Sequence, residues 1–310
     1  MMWFQSGFES DCRIVKNDPD LKHGVLQGKD LSLAGRNDWK VDFGGHPKIE
    51  TGKMGIACRG EGFDKRNAEL VDDPVRSGQG KVLTFWAKYA LERINKGPGK
   101  GKYKTRVTSN SGTTLTELYT KRKILIAKHM AVLKDYPKAF TWLMVEEMWM
   151  GNGWGKTPSE YPFRIGINMR KDAGTGQQLY FRISAQKRGP VSGNKGVWAQ
   201  SDRSKFPIPL GAWFTYETYY KQGDSKTGRF YFAVTYKGKK TVLCDVTDWT
   251  YHPDTPRGQP PNPITTWQPF KLYTSQDLTD YAREHGRGIQ WYWDDFEVWD
   301  SWPPDTQADP

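Results

Sequence analysis

The sequence predicts an all-β protein: a two-sheet antiparallel β-sandwich (jelly roll) with a few short helices. Apolar and polar residues alternate over short spans, and Gly, Pro, Asn and Asp bound these spans. The spans follow one another through turns, without long helical segments between them. This order favours packed antiparallel sheets over a parallel sheet with crossover helices. We expect a single domain over residues 1–301 and a loose C-terminal tail over 302–310.

The predicted strands run through most of the chain. The clearest alternation is in residues 163–170, where Phe, Ile, Ile and Met share one face and Arg, Gly, Asn and Arg share the other. Turn-forming residues separate this span from 179–186, so the two spans are expected to form a hairpin. In chain order, the predicted strands are 81–88, 103–108, 115–126, 139–150, 163–170, 179–186, 213–221, 229–236 and 288–299.

Helices are predicted at two places only. A capping Thr or Ser, an acidic first turn and a terminating glycine predict a helix within 274–286. A shorter helical turn is expected over 129–135. The Pro-rich stretch 252–269 is predicted to be a long surface loop.

Composition and charge narrow the classes of function. The 310 residues include 14 Phe, 15 Tyr and 14 Trp, which is enough aromatic material to exclude general disorder. No apolar run approaches the roughly 18 residues of a membrane-spanning helix. The formal charge of +11 suits an acidic polymer as partner. No RRM, zinc-finger or helix-turn-helix pattern accompanies this charge, so we expect no nucleic-acid partner.

Polar strand faces supply the candidate binding and catalytic groups. If the two polar faces of the predicted hairpin coincide, they gather Arg164, Asn168, Arg170, Tyr180, Arg182 and Gln186. The strand at 213–221 adds Tyr216, Tyr219, Tyr220 and Lys221. Glu147 and Trp149 share one face of another strand, so a carboxylate and a sugar-stacking indole could enter one groove. The alternative for each residue is an ordinary solvated strand face, and for Glu147 it is a structural carboxylate paired with an arginine.

Three segments resemble a known superfamily. The resemblance is to carbohydrate-active jelly rolls of the concanavalin A-like lectin/glucanase superfamily. It lies in the opening strand with GFES, the segment GAWFTYETYYKQGDSKTGRFYFAVTY and the closing IQWYWDDFEVW. The layout is most similar to the polysaccharide-lyase-related branch, which includes relatives of heparin lyase I and glucuronan lyase. The resemblance implies that the first and last strands lie together and that a concave sheet face binds a glycan chain.

The leading hypothesis is therefore a polysaccharide lyase that cleaves an acidic polysaccharide by β-elimination. Such an enzyme must neutralise a uronate carboxylate, remove the neighbouring proton and protonate the leaving oxygen. The candidates for neutralisation are Arg164, Asn168, Arg170 and Arg182. The candidates for proton transfer are Tyr180, Tyr216, Tyr219 and Tyr220. Trp149, Gln186 and Lys221 are expected to bind the sugar chain. We expect a monomer that is secreted or periplasmic, although no signal peptide is visible in the sequence.

One departure from the resemblance leaves two other functions open. Relatives in the lyase branch carry a catalytic His on the strand before the hairpin, and the corresponding VEEMWM has none. The first alternative is a glycoside hydrolase that uses Glu147 with a second carboxylate about 5–9 Å away. The ExDxE pattern of the superfamily's hydrolases is absent from this strand. The second alternative is a non-catalytic polysaccharide-binding module.

Acidic residues of the terminal strands suggest a metal site. Glu9, Asp294 and Asp295 come close together if the first and last strands pair, and oxygen ligands of this kind suit Ca²⁺. Related jelly rolls often hold a structural calcium there, so we predict a candidate structural Ca²⁺ site at these residues. No organic cofactor is expected. The three cysteines are scattered and allow at most one disulfide.

Overall fold

The computed structural model describes residues 1–17, 23–59, 64–78, 80–90, 92–93, 103–151, 161–189, 194–202 and 206–304. The strands in these residues form two antiparallel sheets, and the helices between them are short. The predicted all-β sandwich is therefore confirmed.

Sheet A contains the first and last strands. Its spatial order is β16 (Lys239–Thr247), β15 (Arg229–Tyr236), β14 (Trp213–Lys221), β9 (Glu117–Ile126), β19 (Ile289–Trp299), β6 (Lys81–Ala87) and β5 (Arg66–Asp72). In addition, β1 (Met2–Ser6) pairs with β19. The expectation that the chain begins and ends on neighbouring strands is confirmed.

Sheet B contains the predicted hairpin. Its spatial order is β13 (Asn194–Gln200), β12 (Tyr180–Arg188), β11 (Phe163–Lys171), β10 (Phe140–Met150), β17 (Ile264–Gln268), β8 (Tyr103–Leu115), β4 (Gly55–Arg59), β3 (His23–Gln27) and β2 (Arg13–Lys16). The short strand β18 (Lys271–Ser275) pairs with both β10 and β8, and β7 (Glu92–Arg93) pairs with β8.

Both predicted helices are present. The α-helix α1 covers Gln276–Glu284, and the hydroxyl of Ser275 caps it by accepting from the N–H of Leu278. A 3₁₀ helix covers Lys128–Asp135, and a π-helical turn covers Trp39–Phe43. Among the described residues, no helix is both long and apolar enough to cross a membrane.

The core between the sheets is rich in aromatic rings. Alternate residues of β11, from Phe163 to Met169, turn one face of the hairpin into this core, as the sequence pattern predicts. None of the three cysteines, all of them described, is in a disulfide. The largest buried rings include Trp3, Trp39, Trp267, Trp291 and Trp293.

A β-bulge places one acidic residue of β10 inside the core. The register of β10 against β11 shifts between Met144 and Glu146. As a result, the carboxylate of Glu146 points inward and accepts a hydrogen bond from the guanidinium of Arg122 on β9. That guanidinium lies 4.3 Å from the ring centre of Tyr216. A buried ion pair thus joins the two sheets.

Two loop predictions differ from the structure. The stretch 252–269 was expected to be a surface loop throughout, but its last part forms β17, where Ile264 and Trp267 are fully buried. The start of the predicted loose tail contacts sheet A, because the ring centre of Trp302 lies 4.8 Å from that of Tyr219 and 4.7 Å from that of Tyr231. Residues 305–310 lie outside the described part, and the domain boundary at residue 301 stays a prediction.

Candidate functional site

The polar side chains of three neighbouring strands share the face of sheet B that points away from the core. Arg164 of β11 lies opposite Gln186 of β12 and Trp149 of β10. Asn168 of β11 lies opposite Arg182 of β12. The two polar faces of the hairpin therefore coincide, and the strand that carries Trp149 extends them.

Two neighbouring cavities open on this face. Cleft 1 has a volume of about 450 Å³, and its lining includes Arg164, Asn168, Arg182, Ser184, Gln186 and Tyr273. Cleft 2 has a volume of about 390 Å³, and its lining includes His23, Lys53, Arg106, Asn110, Trp149 and Gln268. We call the two clefts together the groove.

The lining of the groove is cationic. Among the described residues that line either cleft, there are arginines, a lysine, a histidine and several amides, but no Asp or Glu. A surface of this kind attracts ligands that carry carboxylate or sulfate groups. Residues 96–102 of the basic segment 96–106 lie outside the described part, whereas 103–106 belong to β8 and Arg106 lines cleft 2.

Arg182 and Asn168 are two polar groups of cleft 1 whose side chains no described residue engages. Within the described part of the chain, neither side chain forms a hydrogen bond or an ion pair. Arg170 lies next on the same face, and both burial and the nearby guanidinium of Arg182 lower its pKa. The charge of Asp172 acts on Arg170 in the opposite direction. Arg182, which no described residue engages, therefore makes this end of the cleft suited to an anion.

Glu147 lies beneath the groove and is fully buried. Its carboxylate accepts hydrogen bonds from Lys271 and, at 3.1 Å, from Arg164. Burial alone would raise the pKa of Glu147, but the two cations outweigh it and hold this pKa below its usual range. Burial lowers the pKa of Lys271 to about 8, against the opposing effect of Glu147. Glu147 is therefore an ionised, paired carboxylate in the structure.

Tyr273 is the phenol among the described lining residues of the groove, and sequence reasoning missed it. Its ring packs edge-on against Trp142, with 4.6 Å between ring centres. The guanidinium of Arg106 and the ammonium of Lys271 lie 4.8 and 5.0 Å from its ring centre. The signal that could have found it is the alternation in KLYTS, a strand of only five residues whose last residue caps α1.

The predicted tyrosines lie elsewhere. Tyr216 and Tyr220 of β14 point into the core, where burial raises the pKa of both phenols. Tyr219 and Lys221 lie on the opposite face of β14, in sheet A, and the hydroxyl of Tyr219 donates to Glu117. The structure therefore does not bring these four residues to the groove.

Tyr180 is closer to the groove but is not part of its lining. It lies opposite Arg170 at the turn end of the hairpin. Its hydroxyl donates to Asp172 at 2.9 Å, and the side chain is almost fully buried.

The acidic residues of the predicted calcium site are already engaged. Asp294 accepts from Arg76 at 2.6 Å, Asp295 pairs with Lys123, and Glu9 accepts from the backbone N–H of Lys81. Within the described part of the chain, no group of three or more His, Cys, Asp or Glu residues is arranged to hold a metal ion. The calcium site stays a prediction.

No protein-family model and no curated protein matches this chain. Solved structures similar to it include an endo-β-1,4-glucuronan lyase from Trichoderma reesei, at 13% identity over 78% of this chain and 89% of that chain, with a TM-score of 0.46. A PL-14 alginate lyase from Aplysia kurodai is 10% identical over 91% and 99% of the two chains, with a TM-score of 0.48. A GH131 β-glucanase domain from Podospora anserina is 9% identical over 75% and 78%, with a TM-score of 0.33. Because the sequence identities and TM-scores are this low, no activity is inferred from these similarities.

Proposed function

We propose that this protein is a polysaccharide lyase that cleaves an acidic polysaccharide by β-elimination in the groove of sheet B. The observation that supports the proposal is the pair Arg182 and Asn168, which no described residue engages. Their cleft also holds Tyr273, and none of its described lining residues is acidic. Because such polymers are met outside the cell, we also propose that the protein acts as a secreted or periplasmic enzyme.

The first step of the proposed reaction is neutralisation of a uronate carboxylate. Arg182 can donate two parallel hydrogen bonds to a carboxylate, and the amide of Asn168 can donate a third. Neutralising this charge makes the neighbouring carbon-bound proton more acidic, because the carbanion that forms is stabilised as an enolate. This assignment keeps two of the four residues predicted for this step. Arg164 instead holds Glu147 and Gln186.

The second step is proton transfer by Tyr273. In its ionised form the phenol oxygen would take the proton from the carbon next to the carboxylate. The same oxygen would then return that proton to the glycosidic oxygen as the bond to it breaks, which leaves a double bond in the sugar. Tyr273 is favoured over Tyr180 because it lines cleft 1, whereas the hydroxyl of Tyr180 is directed to Asp172.

The hydrolase alternative is less well supported. A glycoside hydrolase needs two carboxyl groups that reach the glycosidic bond. Glu147 is fully buried and bonded to Lys271 and Arg164, and no second acidic residue is among the described lining of the groove. A binding module without catalysis would use the same groove, and only an activity measurement separates it from a lyase.

The test is to incubate the wild-type protein and Tyr273→Phe with a panel of uronate-bearing and sulfated polysaccharides. We expect the wild type to produce unsaturated sugar ends, measured by ultraviolet absorbance, and Tyr273→Phe to lose at least 100-fold in rate while it still binds the polymer in affinity electrophoresis. Tyr236→Phe, on sheet A, is the matched control and should retain full activity.

Three results would contradict the proposal. Full elimination activity in Tyr273→Phe would exclude this phenol as the proton carrier. New reducing ends without unsaturated ends would favour a hydrolase. Retarded migration of the wild type with neither product would favour the binding module.

A further inference from the structure

A continuous line of hydrogen bonds crosses the floor of the groove from cleft 1 to cleft 2. In cleft 1, Gln186 Oε1 accepts from two nitrogens of Arg164, at 2.9 and 2.7 Å. Arg164 and Lys271 both donate to the carboxylate of Glu147. The line ends in cleft 2, where Lys271 donates to Gln268 Oε1 and Gln268 Nε2 donates to Asn110 Oδ1 at 3.2 Å. We call these six residues the relay: Gln186, Arg164, Glu147, Lys271, Gln268 and Asn110.

The two cations of the relay fix the direction of every amide in it. Arg and Lys side chains can only donate hydrogen bonds, so Gln186 and Gln268 must turn their oxygens toward them. Gln268 must then offer its NH₂ group to Asn110, which turns its own oxygen inward. The NH₂ groups of Gln186 and Asn110 remain, and no described residue accepts from either one. Each end of the relay thus presents donors, one end in each cleft.

The charges of the two clefts match these donors. Cleft 1 adds the guanidinium of Arg182. Cleft 2 adds the guanidinium of Arg106 and the ammonium of Lys53. Tyr273 belongs to cleft 1, and its neighbour Arg106 belongs to cleft 2, so the proposed reaction centre lies where the clefts meet. Both sides of this centre therefore offer donors and positive charge.

We infer that the groove binds an acid group on each side of the scissile linkage, so that the substrate is a polymer of consecutive uronates and not one in which acidic and neutral sugars alternate. This inference rests on the proposed function for the position of the cleaved bond. In this account, Gln186 and Asn110, at opposite ends of the relay, are specificity-determining residues. Cleft 2 is a second acid-binding site.

Two substitutions test the inference while leaving the relay's own bonds in place. In Gln186→Glu and Asn110→Asp, one carboxylate oxygen can still accept the internal hydrogen bond, while the outward NH₂ donor becomes a charged acceptor. We expect each variant to bind a uronate homopolymer at least about tenfold more weakly than the wild type, as measured by affinity electrophoresis and calorimetry. Gln290→Glu, on sheet A and outside the groove, makes the same change of charge and should bind as the wild type does.

A comparison of a uronate homopolymer with an alternating polymer distinguishes loss of a second acid-binding site from general repulsion between the new carboxylate and an acidic polymer. Asn110→Asp should weaken binding of the homopolymer more than binding of an alternating polymer, and the wild type should prefer the homopolymer. Unchanged homopolymer binding by Asn110→Asp, or equal binding of both polymers by the wild type, would overturn the inference even if elimination is observed. If binding follows the expected pattern but no unsaturated product forms, the proposed lyase activity would be overturned. The two acid-binding sites would still be supported.

Discussion

Glu147 shows how much of a residue's function depends on its partners. Its carboxylate is the centre of the relay, and it shares hydrogen bonds with two cations while fully buried. Removing one member of a buried ion pair leaves the other charged and without compensation, which costs far more than the pair itself contributes. Glu147 is therefore expected to stabilise and position the groove, which is the arginine-paired alternative that the sequence left open.

The corresponding prediction is that Glu147→Gln lowers the free energy of unfolding by about 3–5 kcal/mol, because Lys271 loses its counter-charge. The measurement is chemical denaturation. Adding Lys271→Met to this variant should restore much of the loss, since an uncharged side chain then replaces the buried ammonium. An inactive Glu147→Gln variant with wild-type stability would instead indicate that Glu147 acts in the chemistry.

At the scale of elements, the hairpin of β11 and β12 supplies most of the described lining of cleft 1. Gly166 lies in the middle of β11 and lines cleft 1. A Cβ at this position would lie 3.2 Å from the terminal methyl of Met144, a flexible group that can move away. Larger side chains at residue 166 are therefore expected to fill the cleft and not the core.

We predict that Gly166→Val weakens polysaccharide binding at least about tenfold, because its methyl groups occupy the space of a sugar ring next to Asn168. Affinity electrophoresis measures the loss, and thermal unfolding should show a change of only a few degrees. Thr241→Val, on the edge strand β16 of sheet A, introduces the same side chain outside the groove and should bind as the wild type does. Equal binding by both variants would contradict the place of cleft 1 in polymer binding.

The same elements show what the sequence could and could not predict. Strict alternation assigns Arg164, Asn168, Arg182 and Gln186 to one face of a hairpin, because neighbouring residues of a strand point to opposite sides. Alternation cannot show which sheet a strand joins, so the tyrosines of β14 were placed near a groove that lies on the other sheet. The strand with Tyr273 has five residues between a Pro-rich stretch and a helix, and a pattern this short is ambiguous.

At the scale of the whole molecule, stability depends on pH through the buried acid of the terminal strands. Burial first, and the nearby charge of Asp295 second, raise the pKa of Asp294 from its ordinary 3.8 to about 6, against the opposing effect of Arg76. The folded protein therefore binds this proton more tightly than the unfolded chain does. The stability that this group contributes is complete below pH 3.8 and is lost as pH rises through about 6.

We predict that the wild type loses more unfolding free energy than Asp294→Asn when the pH is raised from about 5 to about 7. Asparagine keeps the shape of the side chain and does not titrate, so the difference between the two proteins isolates residue 294. Chemical denaturation at each pH measures it. Parallel pH profiles for the two proteins would show that Asp294 has an ordinary pKa in the fold.

The bulge in β10 has an evolutionary consequence. It reverses which side of the sheet the following residues face, so that Glu146 points inward to Arg122 on the partner sheet and Glu147, the next residue, lies on the opposite face beneath the groove. A one-residue slip of this strand would exchange those destinations. In diverging sequences that keep this groove, positions 122 and 146 are therefore expected to covary, although neither can touch a ligand.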